Sequence, residues 1–173
     1  MVILITGSSH TGKTALAQKL LKKYEFPYLS QDHLKMGLIR SGFSTLTPED
    51  DVEDIIQVLW PITREIIKTC IENKQNLVIE GCYIPFDYKK DFKDDYLKYI
   101  KFNCLIFSTN YINKHYEVIM KHASIIECRD EDDAKYCTKE MLLRENSLNL
   151  EKCIESNNEY TLIDNRYDVD IVL

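Results

Sequence analysis

The segment GSSHTGKT, residues 7–14, places two glycines, a lysine and a threonine at the spacing GxxxxGK(S/T). Glycines allow a tight turn in which successive backbone N–H groups point inward, and such a turn binds phosphate oxygens. In this pattern the lysine reaches the β- and γ-phosphates of a nucleoside triphosphate, and the threonine hydroxyl binds Mg²⁺. The residues expected to bind the nucleotide are Gly7, Ser8, Ser9, His10, Thr11, Gly12, Lys13 and Thr14. We also expect Lys13 to act in catalysis and Thr14 to hold the metal ion.

The segments on either side of this loop have the types that a phosphate-binding loop requires. The preceding residues VILIT (2–6) form a short β-branched run, and KTALAQKLLKKY (13–24) carries apolar residues at helical spacing. A helix that begins near Lys13 directs the positive end of its dipole at the loop. The alternative is a chance glycine turn with an exposed lysine, and the strand before the loop and the helix after it argue against that alternative.

Further strand-like runs recur along the chain and alternate with helical segments. They are FPYLS (26–30), NLVIEG (76–81), KFNCLIFS (101–108) and EYTLID (159–164). Apolar strands that alternate with helices indicate an α/β fold with a parallel five-stranded sheet between two helical layers. A chain of 173 residues is long enough for one such domain and too short for two ordinary ones, so we expect a single domain over residues 1–173.

The helical segments are less regular than the strands. A short helix is expected at 32–42, ended by Gly42. Thr47 followed by Pro48 and three acidic residues predicts the start of a second helix, which runs toward Asn73 with a kink or break at Pro61. Two polar segments, 37–60 and 111–147, are predicted to be insertions between the core elements.

Four features in chain order resemble the small P-loop kinases, the group that contains adenylate, shikimate and gluconate kinases, zeta toxins and 2-phosphoglycerate kinase. They are the loop at 7–14, the aspartate of LSQDHLK, the strand end VIEG before CYIP, and the long polar segment after the fourth strand. VIEG followed by an aliphatic residue and proline resembles the 2-phosphoglycerate kinase-like branch most. The resemblance implies the strand order 2-3-1-4-5, a helical lid at about 111–147, an acceptor-binding insertion at about 37–60, and ligand sites at the carboxyl ends of the strands.

Asp32 and Glu80 each follow or end a strand at the edge where ligands bind in such folds. Asp32 is either the base or orienting group for the acceptor hydroxyl, an outer partner of Mg²⁺, or simply a helix N-cap. A carboxylate at the end of a buried strand is costly unless it binds something, so we favour a functional role for Glu80 over a cap or salt bridge. The resemblance implies that Glu80 contacts Mg²⁺ through water or contacts the acceptor.

Basic residues near these acids are candidates for acceptor binding. The resemblance implies that a basic residue of the short helix, Lys35 or Arg40, binds an anionic group of the acceptor. Arg64, after Pro61, points toward the acceptor or pairs with an acid of its own helix. Solvated helix charges are the alternative for Lys35 and Arg40.

The expected lid contains Arg129 and Arg144. Phosphoryl transfer needs positive charge on the moving group, and an arginine that closes from a lid supplies this charge while excluding water. Both are therefore candidate catalytic residues. The segment also contains DEDD at 130–133, so a surface helical pair of mixed charge is the alternative.

The bulk composition excludes some partners. With 22 basic and 28 acidic residues the formal net charge is −6, and a mildly acidic surface does not attract nucleic acid or anionic membrane. The six cysteines include no CxxC pair and most lie in apolar surroundings, which suits a reducing compartment. No signal peptide or membrane-length apolar run is recognised, so we expect a cytoplasmic protein without membrane partners.

The sequence therefore predicts a P-loop kinase that transfers the γ-phosphoryl group of ATP·Mg²⁺ directly to a small-molecule acceptor. The alternatives are a kinase that acts on a nucleotide sugar or a nucleic-acid end, and a P-loop switch that binds and slowly hydrolyses nucleotide. NKHY (113–116) and NKQN (73–76) lack the aspartate of the NKxD guanine motif, which disfavours a GTP-selective switch. The identity of the acceptor and the oligomeric state stay open.

Overall fold

The structure is a computed structural model that describes residues 1–122 and 137–173. In these residues five strands form one sheet in the order β2-β3-β1-β4-β5, and all neighbouring pairs are parallel. The strands are Val2–Gly7 (β1), Tyr28–Ser30 (β2), Leu77–Glu80 (β3), Ile100–Phe107 (β4) and Tyr160–Ile163 (β5). The predicted parallel sheet and its strand order are confirmed.

Helices cover both faces of the sheet. Within the described residues they are Lys13–Tyr24 (α1), Gln31–Ser41 (α2), Val52–Glu72 (α3), Asp94–Leu97 (α4), Thr109–Lys121 (α5) and Lys139–Glu155 (α6), with a 3₁₀ turn at Tyr88–Asp91. None of these helices is both long and apolar enough to cross a lipid bilayer. The architecture is a three-layer α/β/α fold.

The central strand β1 explains why two helical layers form. All six of its residues are buried, and alternate side chains of a strand point to opposite faces. Ile3 and Ile5 pack with apolar residues of α1 and α5, whereas Val2 and Leu4 pack with Trp60 and Ile67 of α3. Each face of the sheet thus has its own apolar cluster, which is the pattern of a parallel sheet buried on both sides.

The carboxyl ends of the strands meet at one edge of the sheet. In the register of the strands, Glu80 lies opposite both Ile5 and Ser30, and Gly7 lies opposite Leu105. The chain therefore brings the loop after β1, the start of α2 and the end of β3 to the same place. This is the edge at which open α/β folds bind ligands.

The predicted start of α3 at Thr47 is wrong, because α3 begins at Val52 with Asp51 as its N-cap. The Thr47 backbone N–H and hydroxyl donate to the Asp50 carboxylate at 2.9 and 2.7 Å, which closes a separate turn before the helix. α3 then continues through Pro61 to Glu72, so Pro61 does not break the helix, and the kink that was the other expectation stays a prediction.

The two predicted insertions correspond to elements of different kinds. Range 37–60 contains the end of α2, a connecting loop and the first half of α3. The predicted lid range begins inside α5, whose Tyr111, Ile112 and Ile119 belong to the core, and ends inside α6. Most of the segment between these helices, 123–136, lies outside the described residues. The lid and the acceptor-binding insertion stay predictions.

Candidate functional site

The loop between β1 and α1 has the backbone conformations that its glycines permit. Gly12, the N-cap of α1, has φ +85°, in the left-handed region that favours glycine. A Cβ at Gly12 would lie 1.9 Å from the Tyr167 hydroxyl oxygen, and a Cβ at Gly7 would lie 2.4 Å from the Leu105 carbonyl oxygen. Both positions therefore require glycine. His10 also has a positive φ, of +67°.

Lys13 is only 8% exposed and its ammonium group is held inside the loop. Its Nζ donates to the Ser8 carbonyl oxygen at 3.0 Å, and the Thr11 hydroxyl donates to the same oxygen at 2.9 Å. Burial opposes the charged form, but the nearby Cys82 thiol and the Glu80 and Asp32 carboxylates raise the pKa of Lys13 overall. The lysine therefore keeps its positive charge at neutral pH, as binding of phosphate requires.

A cavity of about 540 Å³ opens beside this loop and gathers most of the predicted site residues. Its lining includes Ser9, His10, Gly12, Lys13 and Thr14 from the loop and α1, Asp32 and Lys35 from α2, and Glu80 from β3. These residues come from three separate regions of the sequence. Gly7, Ser8 and Thr11 belong to the same loop without lining the cavity.

Glu80 is 1% exposed, and its Oε1 has no hydrogen-bond partner among residues 1–122 and 137–173. Burial raises the pKa of Glu80, although the Ser30 hydroxyl, the Lys13 ammonium and the Thr14 hydroxyl act in the opposite direction. Glu80 forms no ion pair within 4.0 Å with a described residue, so the salt-bridge alternative does not apply. A buried carboxylate oxygen without a partner at the wall of a cavity is the feature expected of a ligand contact.

Asp32 lies in the first turn of α2, but it is not the N-cap, because Ser30 occupies that position. Its side chain is 38% exposed and its Oδ1 lies 3.6 Å from Lys35 Nζ. The plain N-cap interpretation is therefore wrong. Asp32 presents a partly solvated carboxylate to the cavity, where it can accept a proton or a hydrogen bond from a hydroxyl group.

Lys35 is buried, and its Nζ donates to the Tyr83 hydroxyl oxygen at 2.8 Å. Burial opposes the charged form, but the hydrogen bond to Tyr83 and the nearby Asp32 raise the pKa of Lys35 overall. Burial also raises the pKa of the Tyr83 hydroxyl. At neutral pH the pair is therefore an ammonium group and a protonated phenol, and both side chains line the cavity.

The fully buried Gln31 holds Tyr83 in place. Its Oε1 accepts from the Tyr83 backbone N–H at 3.1 Å, and its Nε2 donates to the Tyr83 carbonyl oxygen at 3.3 Å and to the Thr63 hydroxyl at 3.4 Å. A Cβ at Gly81 would lie 2.6 Å from Gln31 Oε1, so the glycine after Glu80 makes room for this amide. The loop after β3 is thus fixed to the start of α2.

The cavity lining does not include the other predicted basic residues. Arg40 is exposed in the last turn of α2. Arg64 Nε donates to Glu65 at 2.8 Å, and its guanidinium lies 3.8 Å from Asp91. Arg144 is exposed on α6, and Arg129 lies outside the described residues. The structure therefore does not bring Arg40, Arg64 or Arg144 to the cavity.

Several residues near the cavity were not predicted. Cys82, two positions after Glu80, donates through its thiol to the Gly7 carbonyl oxygen at 3.3 Å. Burial raises the pKa of Glu145, on α6, although the nearby Lys13 ammonium acts in the opposite direction. The Tyr167 hydroxyl donates to the Thr11 carbonyl oxygen at 3.1 Å. Only Cys82 and Tyr83 carried a sequence signal, since they directly follow the VIEG strand end.

The wall beside α5 is mainly apolar and aromatic. It includes Phe107, Tyr111, Val118 and Ile119, and the rings of Phe107 and Tyr111 stack with centroids 5.1 Å apart. Cavities with apolar walls and a few convergent polar groups are the usual sites of small ligands in proteins. The polar groups of this cavity lie on the loop between β1 and α1, on α2 and at the end of β3.

The residues present fit a magnesium ion. Proteins usually hold Mg²⁺ through one or two side chains, with substrate phosphates and water supplying the remaining ligands. Within 1–122 and 137–173 no cluster of three or more histidine, cysteine, aspartate and glutamate side chains forms a metal cage. The Thr14 hydroxyl and the Glu80 carboxylate, whose Oε1 has no partner among the described residues, are the groups that would hold the ion together with a bound nucleotide.

Comparison with known proteins supports the fold. No family model matches the chain, and no curated protein sequence matches it. A protein from Chloroflexus aurantiacus assigned as a kinase is 16% identical, with a TM-score of 0.54 over 94% of this chain and 84% of that one. Shikimate kinase from Bacteroides thetaiotaomicron is 16% identical, with a TM-score of 0.51 over 95% and 86% of the two chains. Deoxyadenosine kinase from M. mycoides is 13% identical, with a TM-score of 0.51 over 95% and 90%. The chain thus has the P-loop kinase fold.

Proposed function

We propose that this protein is an ATP-dependent phosphotransferase that moves the γ-phosphoryl group of ATP to a small-molecule acceptor. The single observation that carries the proposal is the unpartnered, buried Glu80 carboxylate oxygen in the same cavity as Lys13, Thr14 and Asp32. A phosphate-binding loop by itself explains only the binding of a nucleotide. The additional carboxylates at the strand edge are what a transfer reaction needs.

The nucleotide half of the site consists of the loop and the end of β3. The loop amides and the start of α1 favour the binding of phosphate oxygens. The charged Lys13 donates a hydrogen bond to the Ser8 carbonyl oxygen of this loop, and it can donate to a phosphate oxygen bound there instead. Thr14 and Glu80 would hold Mg²⁺. When bound, the ion would neutralise the negative charge that develops on the phosphates during transfer.

The acceptor half of the site consists of α2 and the loop after β3. Asp32 accepts a hydrogen bond from the acceptor hydroxyl and takes its proton as the oxygen attacks the γ-phosphorus, while ADP leaves from the opposite side. Burial raises the pKa of the Cys82 thiol, so it is a poor nucleophile at neutral pH. We therefore propose direct transfer to the acceptor without a covalent enzyme intermediate.

Arg129 and Arg144 stay proposed as the source of positive charge from a lid. Arg144 does not line the cavity and Arg129 lies outside the described residues, and in this proposal at least one of them approaches the phosphates after the substrates bind. The likeness to the 2-phosphoglycerate kinase-like branch rests on VIEG and the following aliphatic–proline pair, and it likewise stays a proposal.

The test measures ADP release from Mg·ATP with a panel of acceptors: phosphoglycerates, nucleoside monophosphates, nucleosides, sugar acids and aminoglycosides. Lys13→Ala is the test variant. Lys22→Ala is the matched control, since Lys22 is exposed on the same helix. The proposal predicts a rate raised by one acceptor class, lost in Lys13→Ala and retained in Lys22→Ala. A slow rate that no acceptor changes contradicts it and favours a nucleotide-hydrolysing switch.

A further inference from the structure

The segment after β5, residues 164–173, lies against the phosphate-binding loop and contains no helix or strand. Its Tyr167 hydroxyl donates to the Thr11 carbonyl oxygen at 3.1 Å. Burial raises the pKa of this hydroxyl, so it is protonated at neutral pH and can donate. Among residues 1–122 and 137–173 no other group donates to the Thr11 carbonyl. The proposed transfer gives this contact no role.

The Thr11 carbonyl and the Gly12 N–H belong to one peptide unit. The described residues contain no cis peptide bond, and a trans peptide directs its carbonyl and its N–H in opposite directions. The hydrogen bond from Tyr167 therefore directs the Gly12 N–H away from the tyrosine. That N–H has no acceptor within the described ranges, so it is available to a ligand.

A phosphate-binding loop needs this peptide in one orientation. The N–H groups of the loop must point inward at phosphate oxygens, so the carbonyl oxygens of the same peptide units must point outward. Gly12 gives the peptide freedom to rotate, because glycine adopts positive and negative φ about equally well. A donor outside the loop that holds the Thr11 carbonyl restricts this rotation. Such prearrangement lowers the free energy that a ligand loses in ordering its site.

The Tyr167 hydroxyl is also in direct contact with the glycine of this peptide. A Cβ at Gly12 would lie 1.9 Å from the hydroxyl oxygen, so the space beside the glycine is filled. Inside the loop, the buried Thr11 hydroxyl donates to the Ser8 carbonyl oxygen, which also accepts from Lys13. The tyrosine therefore contacts a loop whose internal hydrogen bonds extend to the lysine.

The helix α1 holds the segment that carries Tyr167. Lys19 of α1 donates to the Val169 carbonyl oxygen at 2.9 Å, and Lys23 of α1 donates to the Asp170 carboxylate at 3.0 Å. Val169 is 6% exposed and packs in the same apolar cluster as the buried residues of α1. Because α1 directly follows the loop, the loop and the tyrosine are fixed to one helix.

The position of the Tyr167 ring offers an alternative role. The ring lines the main cavity and a second cavity of about 220 Å³ beside α1, where it could contact a bound nucleoside. The hydroxyl hydrogen, however, is used on the loop and not on either cavity. A ligand that has phosphates but no nucleoside separates these two roles.

We propose that Tyr167 is a positioning residue of the nucleotide site, whose hydroxyl fixes the Thr11–Gly12 peptide so that the Gly12 N–H faces the bound phosphates. This inference rests on the proposed function, because it requires that the loop binds the phosphates of ATP. The affinity of the loop for phosphate then depends on a hydroxyl that lies more than 150 positions away in the sequence.

The first experiment measures, by calorimetry with Mg²⁺, the binding of inorganic tripolyphosphate and of a non-hydrolysable ATP analogue. Tripolyphosphate has the phosphate chain of ATP without its base and sugar. Tyr167→Phe should bind both ligands about 3- to 10-fold more weakly than wild type, the loss that one hydrogen bond supports. Tyr96→Phe is the matched control, because the Tyr96 hydroxyl bonds to Glu72 at 2.6 Å and Tyr96 does not line the cavity. It should leave both affinities unchanged.

Three results would overturn the assignment. In the first, Tyr167→Phe binds both ligands as wild type does. In the second, it loses affinity for the ATP analogue alone, which makes Tyr167 a contact of the nucleoside. In the third, wild type binds the analogue but not tripolyphosphate at millimolar concentration, because a prearranged loop binds the phosphate chain itself. Since Tyr167 is 45% exposed, we expect Tyr167→Phe to fold, and far-UV circular dichroism and the unfolding midpoint check this.

The second experiment uses the acceptor that raises ADP release most. Tyr167→Phe should raise the KM for ATP about 3- to 10-fold and leave the KM for the acceptor unchanged. A general loosening of the fold would raise both, and an equal rise in both contradicts the assignment.

The outcomes separate this inference from the proposed function. Weaker tripolyphosphate binding by Tyr167→Phe without transfer to any acceptor supports the role of Tyr167 and contradicts the kinase proposal. Transfer that depends on Lys13, together with tripolyphosphate binding that ignores Tyr167→Phe, contradicts the role of Tyr167 and leaves the kinase proposal intact.

Discussion

Replacing Gln31 with methionine tests whether one buried amide holds α2 and the loop after β3, the two parts of the proposed acceptor half, together. Gln31 is fully buried and contributes three hydrogen bonds, two to the backbone of Tyr83 and one to the Thr63 hydroxyl. Methionine has a similar length and shape but makes none of these bonds. Thr63 loses only an accepted bond, since its hydroxyl still donates to the Leu59 carbonyl oxygen at 2.9 Å.

The expected cost follows from the two backbone groups of Tyr83 that lose their partner. Each buried and unsatisfied group costs about 1–3 kcal/mol, and the added apolar contacts of methionine offset part of this. We expect the free energy of unfolding to fall by about 2–4 kcal/mol. For a chain of this length that corresponds to a decrease in the unfolding midpoint of about 4–16 °C.

Thermal and urea unfolding of wild type and Gln31→Met measure this effect. Gln57→Met is the matched control, because Gln57 is exposed on α3 and its replacement should change stability by less than about 0.5 kcal/mol. A Gln31→Met variant as stable as Gln57→Met would refute the role given to this amide.

Three further predictions concern other parts of the site and its support. Because burial raises the pKa of Glu80 above its ordinary 4.5, its contribution favours the fold at low pH and is lost as the pH rises through the folded-state value. The stability of wild type relative to Glu80→Gln should therefore fall as the pH rises above 4.5, as unfolding midpoints measured from acid to neutral pH will show; a flat difference would contradict the burial argument. Gly12→Ala should weaken ATP binding at least about 10-fold in calorimetry, since φ +85° and a contact of 1.9 Å with Tyr167 both oppose a side chain; unchanged affinity would mean that the loop rearranges freely. Trp60→Phe removes the 2.8 Å hydrogen bond from Nε1 to Asp91. It should lower the free energy of unfolding in urea by about 1–2 kcal/mol and leave turnover unchanged. Reduced turnover would show that this contact supports the site.

The sequence was sufficient to predict the sheet and the position of the loop at 7–14 at its carboxyl edge. Short apolar runs, such as VILIT before the loop, specify buried parallel strands, because both faces of such a sheet are covered. The strand ends then place Asp32 and Glu80 at one edge without further information, since parallel strands share their carboxyl ends. The glycines of the loop at 7–14 predict its tight turn directly from the sequence.

The contacts that fix the proposed acceptor half could not be predicted in the same way. Gln31 and Tyr83 are 52 positions apart and meet only because β2 and β3 are neighbours in the sheet. The start of α3 was predicted too early because the Thr47 N–H and hydroxyl donate to Asp50 in a separate turn before the helix. Helix-capping patterns do not reveal this local competition for the donors. Arg64 pairs with Glu65 of its own helix at 2.8 Å, which is the alternative that the sequence offered, and its guanidinium also lies 3.8 Å from Asp91 of the 3₁₀ turn.

The most direct test of phosphoryl transfer follows the γ-phosphate itself. ATP labelled in the γ-phosphoryl group is incubated with the protein, Mg²⁺ and the acceptor that raises ADP release most, and the products are separated. The account predicts label on the acceptor in an amount equal to the ADP formed, lost in Lys13→Ala and retained in Lys22→Ala. Label that appears only as inorganic phosphate, at a rate independent of the acceptor, would contradict the account.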